Sequence, residues 1–371
     1  MALDLALGLF RVTPFGGLER QALELARAAL ARGHRVRLYT RRFQGERPHG
    51  LEVHELPVRA LTNLGRDQAF DRAFARALAA RPAAVVVGFN RLSGLDVFYA
   101  ADPCHAATRG RPGRLPLPAR RARNALERAL FAPEASTHAL VQSERELERY
   151  RAHYATPPER LHLLPPGLRA EFLGSGARDD ELRRSLGIAP DVRVVLAVGS
   201  DFHRKGLDRT IEALARVRAP RVLLLVVGEG RATAYRRRAR ARGVAAHFAG
   251  GRSDILACYR VAELLVHPAR EENTGTVLLE AASQGVPVIA SGTCGFAPLL
   301  ARAGAGIALA EPFRAKDLAE ALARLLGDED LRRELGARGR AAAPGWSATQ
   351  RLARMLAVIE AAARARVEAA R

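Results

Sequence analysis

Two glutamates, Glu272 and Glu280, lie eight residues apart around a turn that contains glycine. Thr274, Gly275 and Thr276 stand between them, at the expected start of a helix. The first N–H groups of a helix lack backbone partners, and the positive end of the helix dipole faces a bound ligand. Such an end suits a diphosphate or the oxygens of a sugar. Because Glu280 follows about two turns later, one carboxylate can bind a sugar and the other a ribose.

A basic loop follows an apolar run at residues 193–198 and contains Gly199, Arg204 and Lys205. A guanidinium offers two parallel donors and an ammonium offers a point charge, so together they can bind a diphosphate leaving group. Glycines also follow the next two apolar runs, the second of them just before Arg252. Each motif alone has a simpler interpretation, as an acidic first turn or an ordinary basic loop. Their recurrence at successive strand ends favours a binding site.

Further candidates lie in the first half of the chain. Gly16 and Gly17 separate the first apolar run from a helix, where small residues let a phosphate approach the backbone. They do not form the Gly-x-Gly-x-x-Gly dinucleotide fingerprint, and positions 40–42 are Thr-Arg-Arg where a dinucleotide site needs an acid. A nicotinamide dehydrogenase is therefore disfavoured. Asp102 ends a strand and could act as a polar or basic group, with His105 as a substitute, or it is only a turn former before proline.

Short apolar runs alternate with helical periodicity along the chain, which predicts a parallel sheet covered on both faces. The first half has predicted strands at residues 3–9, 35–40, 51–56, 84–89, 96–101, 138–142 and 161–164, and predicted helices at 18–32, 67–80, 120–131 and 144–153. The second half has predicted strands at 193–198, 222–227, 246–249, 263–267, 286–290 and 306–309. The fold class is therefore α/β, with two doubly wound Rossmann-like domains whose strand ends face a central cleft.

The break between the two series falls at Pro165-Pro166-Gly167. We predict a first domain at residues 1–168, a second domain at residues 169–345 and a C-terminal helix at 346–371. A chain of 371 residues is long enough for two cores.

Composition limits the class of protein. The chain is 48% hydrophobic and 26% charged, and 59 Lys and Arg against 39 Asp and Glu give a net charge of +20, which favours anionic partners. The three cysteines are scattered without a metal-binding spacing. The first residues lack a signal-peptide pattern, and no run reaches the roughly 18 apolar residues of a membrane-spanning helix. We expect a cytosolic protein or one bound to a membrane surface.

A basic segment at residues 109–128 can form an amphipathic helix in its second part, which suits an anionic membrane surface or is a solvated face. Its few aromatic residues disfavour single-stranded nucleic acid. The candidate membrane residues are Arg109, Arg111, Arg114, Arg120, Arg121, Arg123 and Arg128.

Acidic residues do not form an evident metal site. Asp328, Glu329 and Asp330 lie between helical stretches and are interpreted as a helix N-cap. We expect no metal and no cofactor.

Short segments in matching order along nearly the whole chain resemble one enzyme family. They are Pro-Phe-Gly-Gly at 14–17, Gly-Phe-Asn at 88–90, Gly-Leu-Asp-Val at 94–97, Leu-Pro-Pro-Gly at 164–167, Val-Gly-Ser-Asp-Phe at 198–202, Arg-Lys-Gly at 204–206 and Val-Leu-Leu-Glu-Ala at 277–281. With the pair Glu272 and Glu280, this pattern resembles the retaining GT-B glycosyltransferases of family 4, and among them the enzymes that build the lipopolysaccharide core.

The resemblance implies transfer of glucose from UDP-glucose, a co-substrate, to a heptose of the lipopolysaccharide inner core. It implies a peripheral enzyme at the cytoplasmic face of the bacterial inner membrane, with no nucleic acid as partner. Arg204 and Lys205 would neutralise the diphosphate, Glu272 would hold glucose hydroxyls and Glu280 the ribose. The assigned catalytic residues are Glu272, Asp102, Arg204 and Lys205, and the assigned donor-binding residues are Gly16, Gly17, Gly199, Arg204, Lys205, Arg252, Glu272, Thr274, Gly275, Thr276, Val277 and Glu280.

Two other classes stay open. A GT-B enzyme could use UDP-galactose or UDP-N-acetylglucosamine, another glycolipid acceptor, or a soluble substrate as epimerases and glycogen-type transferases do. A non-catalytic protein that binds a membrane surface or nucleic acid would explain the charge, but it has no need for glycines and paired glutamates at several strand ends.

Overall fold

The computed structural model describes residues 2–13, 17–108, 117–174, 179–217, 219 and 221–369. The chain forms two compact units. Unit 1 comprises Met1–Pro165 and Thr349–Arg371, and unit 2 comprises Pro166–Ala348. The sequence-based boundary stood after residue 168, and the returning helix was expected from residue 346. Both junctions of the structure lie within a few residues of those positions.

Unit 1 is built on a seven-stranded sheet. Its strands are β1 (Asp4–Gly8), β2 (Arg35–Thr40), β3 (Leu51–Glu55), β4 (Val85–Gly88), β5 (Val97–Ala100), β6 (His138–Val141) and β7 (Leu161–Leu163). They lie in the order β3-β2-β1-β4-β5-β6-β7, and every neighbouring pair is parallel. The central strands β1, β4 and β5 are almost wholly buried, because helices cover both faces of the sheet.

The α-helices described between these strands are α1 (Gly17–Ala31), α2 (Asn63–Ala80), α3 (Leu117–Phe131) and α4 (Glu144–Tyr154). Two of them begin at hydroxyl N-caps. The Thr62 side chain accepts a hydrogen bond of 3.0 Å from the Gly65 N–H, and Ser143 accepts one of 3.4 Å from the Glu146 N–H. The Thr62 cap explains why α2 starts four residues before the predicted residue 67.

Unit 2 repeats this architecture with six strands. They are β8 (Arg193–Val198), β9 (Val222–Val227), β10 (Ala246–Gly250), β11 (Leu264–His267), β12 (Val288–Ser291) and β13 (Gly306–Leu309). Their order is β10-β9-β8-β11-β12-β13, and all pairs are parallel. The predicted fold class, two doubly wound α/β sheets of the kind found in GT-B enzymes, is confirmed for each unit.

In the described part of unit 2, eight α-helices flank the second sheet. They are α5 (Asp180–Ser185), α6 (Leu207–Val217), α7 (Thr233–Ala241), α8 (Ile255–Arg260), α9 (Thr276–Ser283), α10 (Ala297–Arg302), α11 (Ala315–Gly327) and α12 (Glu329–Ala342). As predicted, the acidic triplet that starts at Asp328 caps a helix: the Asp328 carboxylate accepts a hydrogen bond of 2.8 Å from the Leu331 N–H.

The last helix, α13 (Ala348–Ala369), belongs almost wholly to unit 1. Its residues Met355, Leu356, Ile359 and Ala363 are buried in the core that also contains the residues of β1 and α1. Among the described residues, no helix is long and apolar enough to cross a membrane.

Candidate active site

The strand order of unit 2 reverses between β8 and β11, and ligands of doubly wound sheets bind beyond the strand ends at such a point. The loop after β8 carries Arg204 and Lys205, and the loop after β11 carries Glu272. Glu272 Oε2 accepts a hydrogen bond from Lys205 Nζ and lies 3.4 Å from Arg204 Nη1. The structure therefore brings together three residues that the sequence singled out separately.

The Glu272 carboxylate is held as an anion. Its side chain is 11% exposed, and it lies 3.4 Å from His267 Nε2. Burial by itself would raise the pKa of Glu272, but the hydrogen bond from His267 and the positive charge of Lys205 lower this pKa to about 2. A carboxylate in this environment accepts hydrogen bonds and does not donate a proton at neutral pH.

His267 is the last residue of β11 and is fully buried. Burial lowers its pKa, so the imidazole is neutral and Nε2 carries the proton that is donated to Glu272. His267 ends a buried strand directly before Pro268, and in the sequence this is typical of a structural residue. Its position five residues before Glu272, at the same strand end, was the signal for this further contact.

The loop after β8 is shaped to present Lys205. Asp201 Oδ1 accepts a hydrogen bond of 3.1 Å from the Arg204 N–H, and the Asp201 carbonyl accepts one of 2.9 Å from the Lys205 N–H. Gly199 has a φ of +141°, and a Cβ there would lie 3.0–3.3 Å from three carbons of the Lys205 side chain. Only glycine leaves room at this position for the Lys205 stem.

Hydrogen bonds join the two loops of the site. Arg204 Nη1 donates to the Glu271 carbonyl at 3.1 Å, and the Arg270 N–H donates to the Arg204 carbonyl at 2.8 Å. The Arg270 guanidinium also forms a two-point pair with Asp208, at 2.8 and 2.6 Å. These bonds fix the separation of the loops, and with it the distance from Lys205 to Glu272.

Helix α9 begins where the sequence predicted. Gly275 is its N-cap, in the left-handed conformation with φ of +81°, and Thr276 and Val277 form the first turn. The Thr274 carbonyl accepts a hydrogen bond of 2.8 Å from the Phe296 N–H, which fixes the approach to the helix. The backbone of Glu272 pairs with Cys294 on the next loop.

Glu280 is positioned by a residue that the sequence analysis did not identify. Tyr259, at the end of α8, is fully buried, and its hydroxyl donates a hydrogen bond of 2.7 Å to Glu280 Oε2. The two residues lie 21 positions apart. Helix α8 has few polar residues. The only sequence feature that indicated a buried hydrogen bond was the tyrosine, whose hydroxyl usually has a partner when it is buried.

The other predicted donor residues are placed as follows. The guanidinium of Arg252 forms a two-point pair with Asp254, at 2.8 and 2.5 Å. The Gly228 N–H donates to the Gly250 carbonyl at 2.7 Å, so the loops after β9 and β10 are in contact. Gly17 starts α1 in unit 1, and Gly16 lies outside the described residues.

Asp102 belongs to unit 1, where its side chain is 72% exposed and lies 3.4 Å from Arg91. The loop behind it is fixed by Glu127, which is fully buried and accepts hydrogen bonds from the N–H groups of His105 at 3.0 Å and Ala106 at 3.1 Å. Arg91 donates to the same carboxylate at 2.8 Å. Glu127 is the single acid in the sequence of the basic segment, and its burial is not evident from that position alone.

The basic segment is partly described. Arg109, Arg111 and Arg114 lie outside the described residues, and Arg120 is in α3. Arg121 and Arg128 are exposed on this helix, and Arg123 is half-buried. The amphipathic helix predicted for the second part of the segment corresponds to α3.

Within the described ranges there is no group of three or more His, Cys, Asp or Glu side chains that could hold a metal ion. The charges around Glu272 come instead from Lys205 and Arg204. Preorganised cations of this kind can stabilise negative charge that develops on a leaving group.

Two family models match the chain. The model described as Glycosyltransferase Family 4 matches residues 15–172, and the model described as Glycosyl transferases group 1 matches residues 178–342. The first match covers most of unit 1, and the second covers most of unit 2, including the loops with Lys205 and Glu272.

Individual proteins match over nearly the whole chain. The lipopolysaccharide glucosyltransferase WaaG of Escherichia coli (strain K12) is 38% identical over 335 residues, which cover 87% of this chain and 90% of WaaG. A D-inositol 3-phosphate glycosyltransferase of Jonesia denitrificans is 30% identical over 390 residues, covering 93% of this chain and 91% of that protein.

Solved structures of glycosyltransferases also resemble this chain. The crystal structure of WaaG superposes with a TM-score of 0.85 at 35% identity and covers 96% of this chain and 99% of its own. HepE of Anabaena in complex with UDP-glucose has a TM-score of 0.74 at 16% identity, with coverages of 96% and 99%, and shows the same fold.

Proposed function

The chain belongs to the GT-B glycosyltransferase family that contains the lipopolysaccharide glucosyltransferase WaaG, and on this basis we propose that it transfers glucose from UDP-glucose to a heptose of the lipopolysaccharide inner core. The family resemblance found in the sequence is thus confirmed. The proposal concerns the donor, the acceptor, the stereochemistry and the location of the reaction.

One observation carries the proposal: Glu272 is an anion at the switch point of unit 2, in contact with Lys205 and Arg204. An ammonium has three N–H donors and a guanidinium has five, so the contact with Glu272 leaves donors on both groups for a diphosphate. A carboxylate beside these cations can accept hydrogen bonds from sugar hydroxyls. The pair therefore fits a ligand with a sugar linked to a diphosphate, which is the chemistry of UDP-glucose.

In the proposed reaction, the bond between the glucose anomeric carbon and the UDP oxygen breaks, and the acceptor hydroxyl forms a new bond on the same face of the sugar. The hydroxyl proton passes to the departing phosphate oxygen, so glucose is transferred with retention. Lys205 and Arg204 stabilise the charge that develops on UDP. Glu272 orients the glucose and Glu280, held by Tyr259, binds the ribose. The first turn of α9 and the loops of Gly17, Gly199 and Arg252 complete the donor site.

We propose that no metal takes part and that Lys205 and Arg204 neutralise the diphosphate in its place. Asp102, exposed at the carboxyl end of β5, is the proposed polar group on the acceptor side.

We also propose that the enzyme acts at the cytoplasmic face of the inner membrane and binds it through the basic segment at 109–128. Replacing Arg120, Arg121 and Arg123 by glutamine should lower binding to anionic vesicles. Unchanged binding of this variant would reject the segment as a membrane contact.

The deciding experiment is a turnover assay. Purified protein is mixed with heptose-terminated lipopolysaccharide and with UDP-glucose, UDP-galactose or UDP-N-acetylglucosamine, in the presence of EDTA. Release of UDP and a product heavier by one hexose, from UDP-glucose alone, are expected. Transfer from another donor only would change the assigned sugar, and a requirement for added metal would reject metal independence.

Variants test the site itself. Glu272→Ala and Lys205→Ala should each abolish transfer while the far-ultraviolet circular dichroism stays that of the wild type. Glu320→Ala removes a carboxylate that is 64% exposed on α11 and should leave transfer unchanged. Full turnover by either site variant would contradict the assignment. Absence of both UDP binding and transfer in the wild type would favour a non-catalytic binding protein.

A further inference from the structure

Helix α7 carries an unusual density of positive charge. Between Glu229 and Asp254 the sequence contains seven arginines and no Asp or Glu. Four of the arginines lie on α7, and Arg236, Arg237 and Arg240 are exposed there, while Ala239 faces the core. None of the three exposed arginines has a carboxylate partner in the part of the chain that the structure describes.

The arginines on the side towards α6 are different. Arg238 lies 3.7 Å from Asp208 and 3.7 Å from Glu212, and Arg242 lies 3.2 Å from Glu212. The acids of α6, one of which also pairs with Arg270, therefore compensate part of the positive charge on the inner side of α7. The outer face is left with an unbalanced positive charge.

The high arginine content of the chain does not by itself explain the unbalanced charge on this face of α7. Helix α12 of the same unit also carries exposed arginines, but Arg333 lies 3.0 Å from Asp330, and Arg338 pairs with Glu334 one turn away. On α7 the neighbours one turn apart are like charges, Arg236 with Arg240 and Arg237 with Arg240, which is unfavourable for an isolated helix. An external anion would relieve this repulsion.

The shape of the face indicates the form of that anion. Besides the arginines, the exposed residues of the helix are Thr233, Ala234 and Ala241, so no bulky apolar side chain projects from it. A groove of about 830 Å³ between α6 and α7 is lined by Arg237, Arg238 and Arg242 against one acid, Asp208. A flat array of cations next to an arginine-lined groove suits closely spaced phosphate groups, and nothing on this face would insert into hydrocarbon.

We propose that the outer face of α7 binds the phosphate headgroups of an anionic bilayer, as a second membrane contact that is independent of the segment at 109–128. The choice of a bilayer over nucleic acid rests on the proposed function, since a lipid-linked acceptor keeps the enzyme at a membrane. The binding is electrostatic. It is therefore reversed by salt, because the Debye length falls to about 3 Å at 1 M.

The test is sedimentation of the full chain with phosphatidylcholine vesicles, with and without phosphatidylglycerol. The variant R236Q/R237Q/R240Q should lose about tenfold or more in affinity for the anionic vesicles, since each arginine near such a surface contributes substantially. The control R324Q/R333Q/R338Q, with the same loss of charge from exposed arginines of α11 and α12, should bind within about twofold of the wild type. Both variants are also made in the background of R120Q/R121Q/R123Q.

Equal binding by the α7 variant and its control, or no binding by the wild type, would overturn the proposal. Binding of duplex DNA through α7 without binding of vesicles would overturn the choice of partner. Transfer to a deacylated, water-soluble acceptor should be the same in the α7 variant and the wild type. If the wild type shows no transfer, the proposed function fails, while the vesicle comparison still decides whether α7 binds lipid.

Discussion

The hydroxyl of Tyr259 donates a hydrogen bond of 2.7 Å to the carboxylate of Glu280. Burial raises the pKa of Tyr259 well above its ordinary value, and the charge of Glu280 raises it further, so the phenol stays protonated and remains a donor. The relationship joins α8 to α9, the two helices on either side of β11 in the chain. It sets the direction of a carboxylate that we assign to the ribose of the donor.

Replacing Tyr259 by phenylalanine removes only this hydrogen bond. We expect the KM for UDP-glucose to rise by roughly tenfold, the effect of one hydrogen bond to a charged group, with kcat little changed. The ratio of the affinities for UDP and for its 2′,3′-dideoxy analogue, both measured by calorimetry, should also decrease. Tyr235→Phe, the same change on α7, is the control. An undiminished preference in the Tyr259 variant would show that this hydroxyl does not act through the ribose.

Gly199→Ala should interfere with Lys205. The added methyl would lie 3.0–3.3 Å from three carbons of the lysine stem, so the Lys205 side chain must shift by a few tenths of an ångström. We expect this shift to disturb its contacts with Glu272 and with a bound diphosphate. We expect UDP binding, followed by calorimetry, to weaken by about tenfold. Gly187→Ala is the matched control, because Gly187 has a φ of +66° but nothing within 4 Å of a Cβ. It should cost about 1–2 kcal/mol of stability and leave UDP binding intact.

The lowered pKa of Glu272 makes stability depend on pH in the acid range. The folded-state pKa of about 2 lies below the ordinary value of 4.5, so between these values the unfolded chain binds the proton more readily. The stabilising contribution of Glu272 is complete above pH 4.5 and declines as the pH falls towards 2. By pH 3.5 about 1 kcal/mol should be lost.

Glu272→Gln does not titrate and supplies the reference for this effect. The unfolding free energies of wild type and variant are measured by urea titration at pH 5 and pH 3.5. Between these two pH values, the wild type should lose about 1 kcal/mol of stability relative to the variant. A difference that is independent of pH would contradict the lowered pKa.

Arg351 anchors α13 to unit 1. Its guanidinium is buried and donates to the Tyr99 hydroxyl at 2.6 Å, to the Pro165 carbonyl at 2.8 Å and to Gln142. Arg351→Met keeps the apolar stem but takes this donor away from the Tyr99 hydroxyl and the Pro165 carbonyl, which should cost about 1–3 kcal/mol in urea unfolding. Arg354→Met, on the exposed side of the same helix, should stay within about 0.5 kcal/mol of the wild type.

The sequence predicted the elements and singled out the residues that the structure brings together in unit 2, because both depend on local patterns. Each strand is an apolar run between polar turns, and β2, β8, β9 and β13 have the predicted bounds. Arg204, Lys205 and Glu272 directly follow such runs, so their convergence at one sheet edge followed from parallel strands.

Contacts between distant elements were not predictable in this way. Tyr259 with Glu280, and Glu127 with the loop of His105, depend on how helices and loops pack. A buried carboxylate such as Glu127 has the same sequence appearance as a solvated one, because its partners are backbone N–H groups that any residue supplies.

Helix α13 is synthesised last but packs in unit 1. The core of unit 1 therefore cannot be completed until the whole chain has been made. The first 165 residues contain all seven strands of their sheet, yet part of the core consists of residues from α13. At about 5–20 residues per second, a ribosome needs roughly 10–40 s to make unit 2 before α13 appears. Throughout that interval the apolar surface that α13 covers is exposed on the nascent chain, and a chaperone that shields it would raise the yield of folded protein.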